Sequence, residues 1–147
     1  MTCELPFKEG VFEGRGHWIN QQTEGDYAVR YTIGAGGDGA SVHGVRREFL
    51  KPDGSTLYLE ETTVTFTPAD RNAVRVIISG PKGSVEGTGY CFGDRCHYEA
   101  DIAPQSRLEF TFTVSDGRID GLASSTNKGN FTSWRETLLA VLPSGLY

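Results

Sequence analysis

Apolar and polar positions alternate with a period of two along almost the whole chain, and the alternating runs stop at turn residues every 10 to 15 positions. Period two puts successive side chains on opposite faces of an extended strand, so each run reads as a strand with one face buried. The clearest case is Val85–Ile102, where Gly93-Asp94 forms a Gly-first turn of type II′ between two alternating runs. Folding about that turn sets Phe92 opposite Arg95, Cys91 opposite Cys96, Tyr90 opposite His97, Gly89 opposite Tyr98, Gly87 opposite Ala100 and Val85 opposite Ile102. Ten strands are predicted by the same reasoning: Val11–Ile19, Asp26–Ile33, Ser41–Leu50, Thr56–Thr67, Ala73–Ser79, Ser84–Phe92, Arg95–Ile102, Arg107–Ser115, Arg118–Ser124 and Phe131–Val141. Helical periodicity is nearly absent. A single turn over Leu5–Gly10 is allowed by the pattern, and Trp134–Leu142 is ambiguous between helix and strand.

Every break is short enough for a hairpin, and none holds the helix that a parallel crossover requires. Ten hairpin-linked strands form a meander, and curling it closed removes both exposed edges. The expected fold is therefore all-β: a single domain over residues 1–147, an antiparallel up-and-down β-barrel of eight to ten strands, with a two-sheet sandwich as the alternative.

Inward positions follow from the alternation. The first strand offers Phe12, Gly14, Gly16 and Trp18, and the second Tyr27, Val29, Tyr31 and Ile33. The hairpin at Asp116-Gly117 offers Leu108, Phe110, Phe112, Val114, Ile119, Gly121 and Ala123. Strands 41–50 and 56–67 do not declare a face, because either choice for the second brings Glu60 or Glu61 inside. An inward carboxylate needs a partner, a water or a ligand.

Composition sharpens the picture in three places. A formal net charge of -5 argues against a nucleic-acid partner, and Arg46-Arg47, the densest basic spot, points to two faces and makes no patch. No apolar run approaches the roughly 20 residues of a membrane-spanning helix, and no basic-then-apolar leader opens the chain. A cytoplasmic location is expected, or secretion if a leader has been removed. Cys91 and Cys96 face each other at a spacing that a disulfide accepts; in a reducing compartment they are two buried thiols, which is the expectation here, while Cys3 near the terminus carries little information. A zinc site from Cys91, Cys96 and His97 fails because Cys96 and His97 point to opposite faces.

Gly16-His17-Trp18 on the first strand resembles the Gly-x-Trp that opens lipocalins and related calycin barrels. In that group an arginine on the last strand packs against the tryptophan, and the resemblance implies this role for Arg135. The ten short-looped strands are similar to the fatty-acid-binding and nitrobindin-like branches. Nitrobindin-like proteins hold haem through a late histidine; none follows His97 here, so no cofactor is carried across.

An enzyme needs a convergent acid–base pair or a nucleophile. His17 and His97 are placed outside, His43 is left open, and all three are expected on the surface or rim. A barrel of more than about eight strands leaves a cavity, and the inward glycines 14, 16, 87, 89 and 121 are expected to widen it. The reading is binding of a small, mostly apolar molecule inside, with Trp18, Tyr27, Tyr31, Arg46, Tyr58, Glu60, Tyr98, Phe110 and Phe112 as the candidate ligand-binding residues and no metal. Two alternatives stay open: a cofactor-free isomerase or cyclase acting in the same cavity, and a filled-barrel interaction module, homodimeric through its Tyr90/His97 face.

Overall fold

The computed structural model describes residues 4–142; Cys3 lies outside them. It contains ten strands: β1 (Gly10–Asn20), β2 (Glu24–Ala35), β3 (Ser41–Leu50), β4 (Thr56–Pro68), β5 (Ala73–Gly80), β6 (Gly83–Phe92), β7 (Arg95–Ala103), β8 (Ser106–Ser115), β9 (Arg118–Asn127) and β10 (Asn130–Ala140). Each pairs antiparallel with its neighbours in the chain, and β1 closes the ring on β10 over Phe12–Ala140 to Asn20–Thr132. The meander thus closes into one barrel, and the sandwich alternative falls away. Trp134 to Ala140 is strand, which resolves the ambiguous end, and Leu5–Gly10 forms no helical turn. No helix among the described residues is long and apolar enough to cross a membrane.

The β6–β7 hairpin keeps the expected register from Phe92↔Arg95 to Gly87↔Ala100. Gly93 has φ +61°, the left-handed value that a Gly-first turn requires. Pairing stops short of the expected Val85–Ile102 step, because β7 carries an irregularity between Asp101 and Ala103. Cys91 and Cys96 form a disulfide, correcting the expectation of two thiols.

All turns at one end of the barrel follow even-numbered strands, and the chain before β1 covers that end from below. Leu5 and Phe7 pack against the core there, with the Phe7 ring 4.4 Å from His43, 5.0 Å from Phe66 and 5.5 Å from Phe112. The turns after β1, β3, β5, β7 and β9 stand at the opposite end, which has no such cover among the described residues.

The inward glycines do not widen the interior as expected. A Cβ on Gly16 would lie 2.0 Å from the Tyr27 ring, so that ring already fills the space. On Gly14 and Gly89 a Cβ would meet the neighbouring strand's carbonyl oxygen, of Thr137 at 1.7 Å and of His97 at 1.8 Å. These glycines let strands bend tightly against one another.

Candidate functional site

Register decides the faces that the sequence left open. Arg47 pairs across β3–β4 with Glu60, and Arg46 with Glu61. The core lies on the Val45 and Val64 side, so Ser41, His43, Val45 and Arg47 point inward from β3, and Glu60, Thr62, Val64 and Phe66 from β4. Arg46, expected inside, is exposed on the outer wall; the inward arginine is its neighbour Arg47.

Arg47 is held by a carboxylate that the sequence did not single out. Its Nε donates to Glu136 Oε1 at 2.9 Å and its Nη2 to Oε2 at 3.0 Å, a two-pronged guanidinium–carboxylate pair. Tyr27 Oη donates to Glu136 Oε1 at 2.9 Å, and Tyr31 Oη donates to Oε2. The Glu136 side chain has no exposed surface. Burial pushes its carboxyl up, against a smaller downward pull from the Tyr27 hydroxyl. The guanidinium cannot shed its charge, and with four donors on two oxygens the anion is the form this geometry serves. Burial also drives the Tyr27 and Tyr98 phenols well above their ordinary range, so both stay protonated. Towards the open end, Arg47 Nη1 donates to Glu60 Oε1 at 3.4 Å, and the guanidinium carbon stands 5.7 Å from the Phe110 ring centre.

Beside this cluster lies an interior cavity of about 290 Å³. Phe66, Tyr98, Phe110, Phe112 and Trp134 contribute aromatic rings to its wall beside aliphatic residues such as Val64 and Leu108, with Arg47 and Glu60 as its charged members. Phe110 and Phe112 stack with centres 4.4 Å apart, and Tyr98 stacks on Phe110 at 5.8 Å. At the covered end His43 is buried and hydrogen-bonded through Nε2 to Ser41 Oγ at 3.0 Å. Burial lowers its pKa to about 3, so the ring is neutral; this corrects the expectation of a surface or rim histidine. A wider hollow of about 550 Å³ lies over Arg30, Arg46, Glu61 and Thr63, but those residues form the outer wall.

Of the expected ligand-binding residues, Tyr31, Glu60, Tyr98, Phe110 and Phe112 come together around the cavity. Tyr27 stands behind it, turned to Glu136. Trp18 packs against the core beside Gly25, where a Cβ would lie 2.8 Å from the indole nitrogen. Tyr58 is 59% exposed and stacks on Phe49 at the rim, 6.1 Å between centres. Arg135 is exposed and pairs with His17 on the outer wall, so it does not pack against Trp18. The residue opposite Trp18 is Trp134, and neither indole Nε1 has a hydrogen-bond acceptor among the described residues. Tyr90 is exposed on the outer wall, its ring 5.5 Å from that of His97.

Glu136 and Trp134 were missed because the pattern from Trp134 onward did not choose between helix and strand, which left their faces unassigned. His43 and Arg47 were lost to the undeclared face of β3. The signal open to the sequence was parity: read as a strand with Leu138 inward, the segment turns Glu136, two places before it, inward as well.

No protein-family model matches this chain, and no curated protein is similar to it in sequence. Among solved structures, Rv2717c from M. tuberculosis superposes with a TM-score of 0.69 at 15% identity, covering 91% of this chain and 92% of that one. The ten-strand closed antiparallel barrel is thus a fold this chain shares with Rv2717c, and at that identity the likeness concerns the fold alone.

Proposed function

We propose that the protein binds a small, mostly apolar molecule inside its barrel, as calycin-type barrels do. The observation that carries this reading is the aromatic-walled cavity of about 290 Å³, close to the lower end of the range that small-molecule sites occupy, roughly 300 Å³ upward. A guest burying roughly 200 Å² of apolar surface there gains about 5 kcal/mol before the cost of immobilisation. The volume also speaks against the filled-barrel module.

An isomerase or cyclase needs a free base facing the guest. Glu60 borders the cavity but is engaged by Arg47. Glu136 is not among the lining residues and already accepts from Arg47, Tyr27 and Tyr31. Binding is therefore the better supported of the two.

The test is native mass spectrometry of protein purified from its host without denaturant, before and after incubation with 2-ethylnaphthalene, a neutral apolar probe. A noncovalent adduct of small-molecule mass, one per chain, is expected in at least one of the two spectra. Bare polypeptide mass in both contradicts the proposal.

A further inference from the structure

Resting on that reading, we infer that the guest carries a hydroxyl group, an alcohol or phenol on an otherwise apolar body, which accepts a hydrogen bond from Tyr98 and donates one to Glu60.

The donor is Tyr98. It lines the cavity and is 3% exposed, and its hydroxyl has no hydrogen-bond partner among the described residues. The side-chain polar atoms there that are both unpartnered and sealed from water are the indole nitrogens of Trp18 and Trp134. The Tyr98 oxygen is unpartnered without being sealed, so in a residue this buried it opens on the cavity it lines. The charges of Arg47 on β3 and Glu60 on β4 both act on its phenol, although β7 lies three strands round the ring from β4. The hydroxyl thus points across the interior towards that pair, and burial keeps its proton in place. The other hydroxyls in the wall differ. Tyr31 is taken by Glu136, and Thr62 and Ser125 are only half-buried.

The acceptor is Glu60. It borders the cavity and takes one long bond, from Arg47 Nη1 at 3.4 Å. A carboxylate has room for about four donors, so most of its capacity is open. Arg47 itself is held by Glu136 on its Nε/Nη2 edge and by Glu60 at Nη1. A group seated between Tyr98 and Glu60 must accept on one side and donate on the other, and a hydroxyl does both with one oxygen. An ether or ketone satisfies the tyrosine and leaves the acid unmet. A hydrocarbon displaces water from the phenol and returns no bond to it. A carboxylate brings a second anion against Glu60.

Calorimetric titration of the wild-type chain and of Tyr98→Phe separates these cases with four probes of one shape class: 2-naphthol, 2-methoxynaphthalene, 2-ethylnaphthalene and 2-naphthoate. Wild type is expected to bind 2-naphthol at least fivefold tighter than 2-methoxynaphthalene, which accepts but cannot donate, and tighter still than 2-naphthoate. Tyr98→Phe keeps the ring and removes the hydroxyl, so it should weaken 2-naphthol about tenfold, the scale of one hydrogen bond, and 2-ethylnaphthalene less than twofold. In wild type the Tyr98 ¹³Cζ resonance should move further downfield on saturation with 2-naphthol than with 2-ethylnaphthalene, a readout that does not depend on the variant folding. Binding of 2-methoxynaphthalene or 2-naphthoate as tightly as 2-naphthol overturns the inference and leaves the cavity as a binding site. So does a Tyr98→Phe loss equal for 2-naphthol and 2-ethylnaphthalene, or a ¹³Cζ shift the same for both. Failure of 2-naphthol, 2-methoxynaphthalene and 2-ethylnaphthalene all to bind wild type overturns the binding reading itself, and this inference with it.

Discussion

Glu136 lies at the centre of the interior polar cluster: one carboxylate accepts from Arg47 twice and from two tyrosines. Breaking a buried pair by removing one partner is costly because the other charge is left uncompensated. Glu136→Gln is therefore expected to destabilise the fold by about 3–5 kcal/mol, read from the midpoint of urea unfolding. A loss below about 1 kcal/mol, the value of an exposed pair, contradicts a dry, closed pair. His43 makes a second prediction, on pH. Its folded-state pKa, about 3, lies below the ordinary 6.5, so the unfolded chain takes up a proton first as pH falls. The stability it confers is complete above about pH 6.5 and is lost progressively towards pH 3, at about 1.4 kcal/mol per unit for one proton. His43→Gln should flatten this part of the stability–pH curve between pH 6 and 4. An unchanged slope in the variant would assign the acid sensitivity to other groups. Little of this cluster was legible in the sequence. Arg46 and Arg47 differ by one step of parity, and nothing local to β3 says which of them is inside.

The strands themselves were far more legible. Turn chemistry such as Gly93-Asp94 and Asp116-Gly117 cuts the chain where hydrogen-bonded pairing must reverse, and all ten segments lie within a few residues of their expected ends. What an isolated strand cannot show is how closely its neighbour approaches. Gly14 reads as an empty inward position, yet the carbonyl of Thr137 occupies the place where its Cβ would stand. Gly14→Ala must push β1 away from β10 at the seam that closes the ring, and a loss of about 3 kcal/mol is expected, the upper part of the usual cost of overpacking. Amide hydrogen exchange should show the loosening concentrated on the β1–β10 pairs. Protection lost evenly around the barrel, or not at all, would contradict a tight seam at that point. Arg135 failed for a related reason. Its expected role rested on a resemblance at the chain's two ends, and the register that places Trp18 against Trp134 turns Arg135 outward.

At the scale of the molecule, closure of the ring and the covering of one end by Leu5 and Phe7 leave an interior reached from the Glu60 and Trp134 side. The expectation of a hollow came from strand number, and the glycines offered in its support turned out to be filled by Tyr27, Phe110 and neighbouring backbone. The space comes instead from the width of ten strands, and it lies beside the rings that meet across the barrel, where Phe112 on β8 stands 6.3 Å from Tyr31 on β2 and 5.9 Å from Phe66 on β4. The most direct test of that claim is intermolecular NOE spectroscopy on the protein saturated with 2-ethylnaphthalene. Cross-peaks from the probe to the methyl groups of Val64, Ile78 and Leu108, on β4, β5 and β8, three strands that meet together only at the interior cavity, are the result expected. Cross-peaks confined to outer-wall residues such as Leu122 and Leu139, or none at all, would contradict a guest chamber inside the barrel.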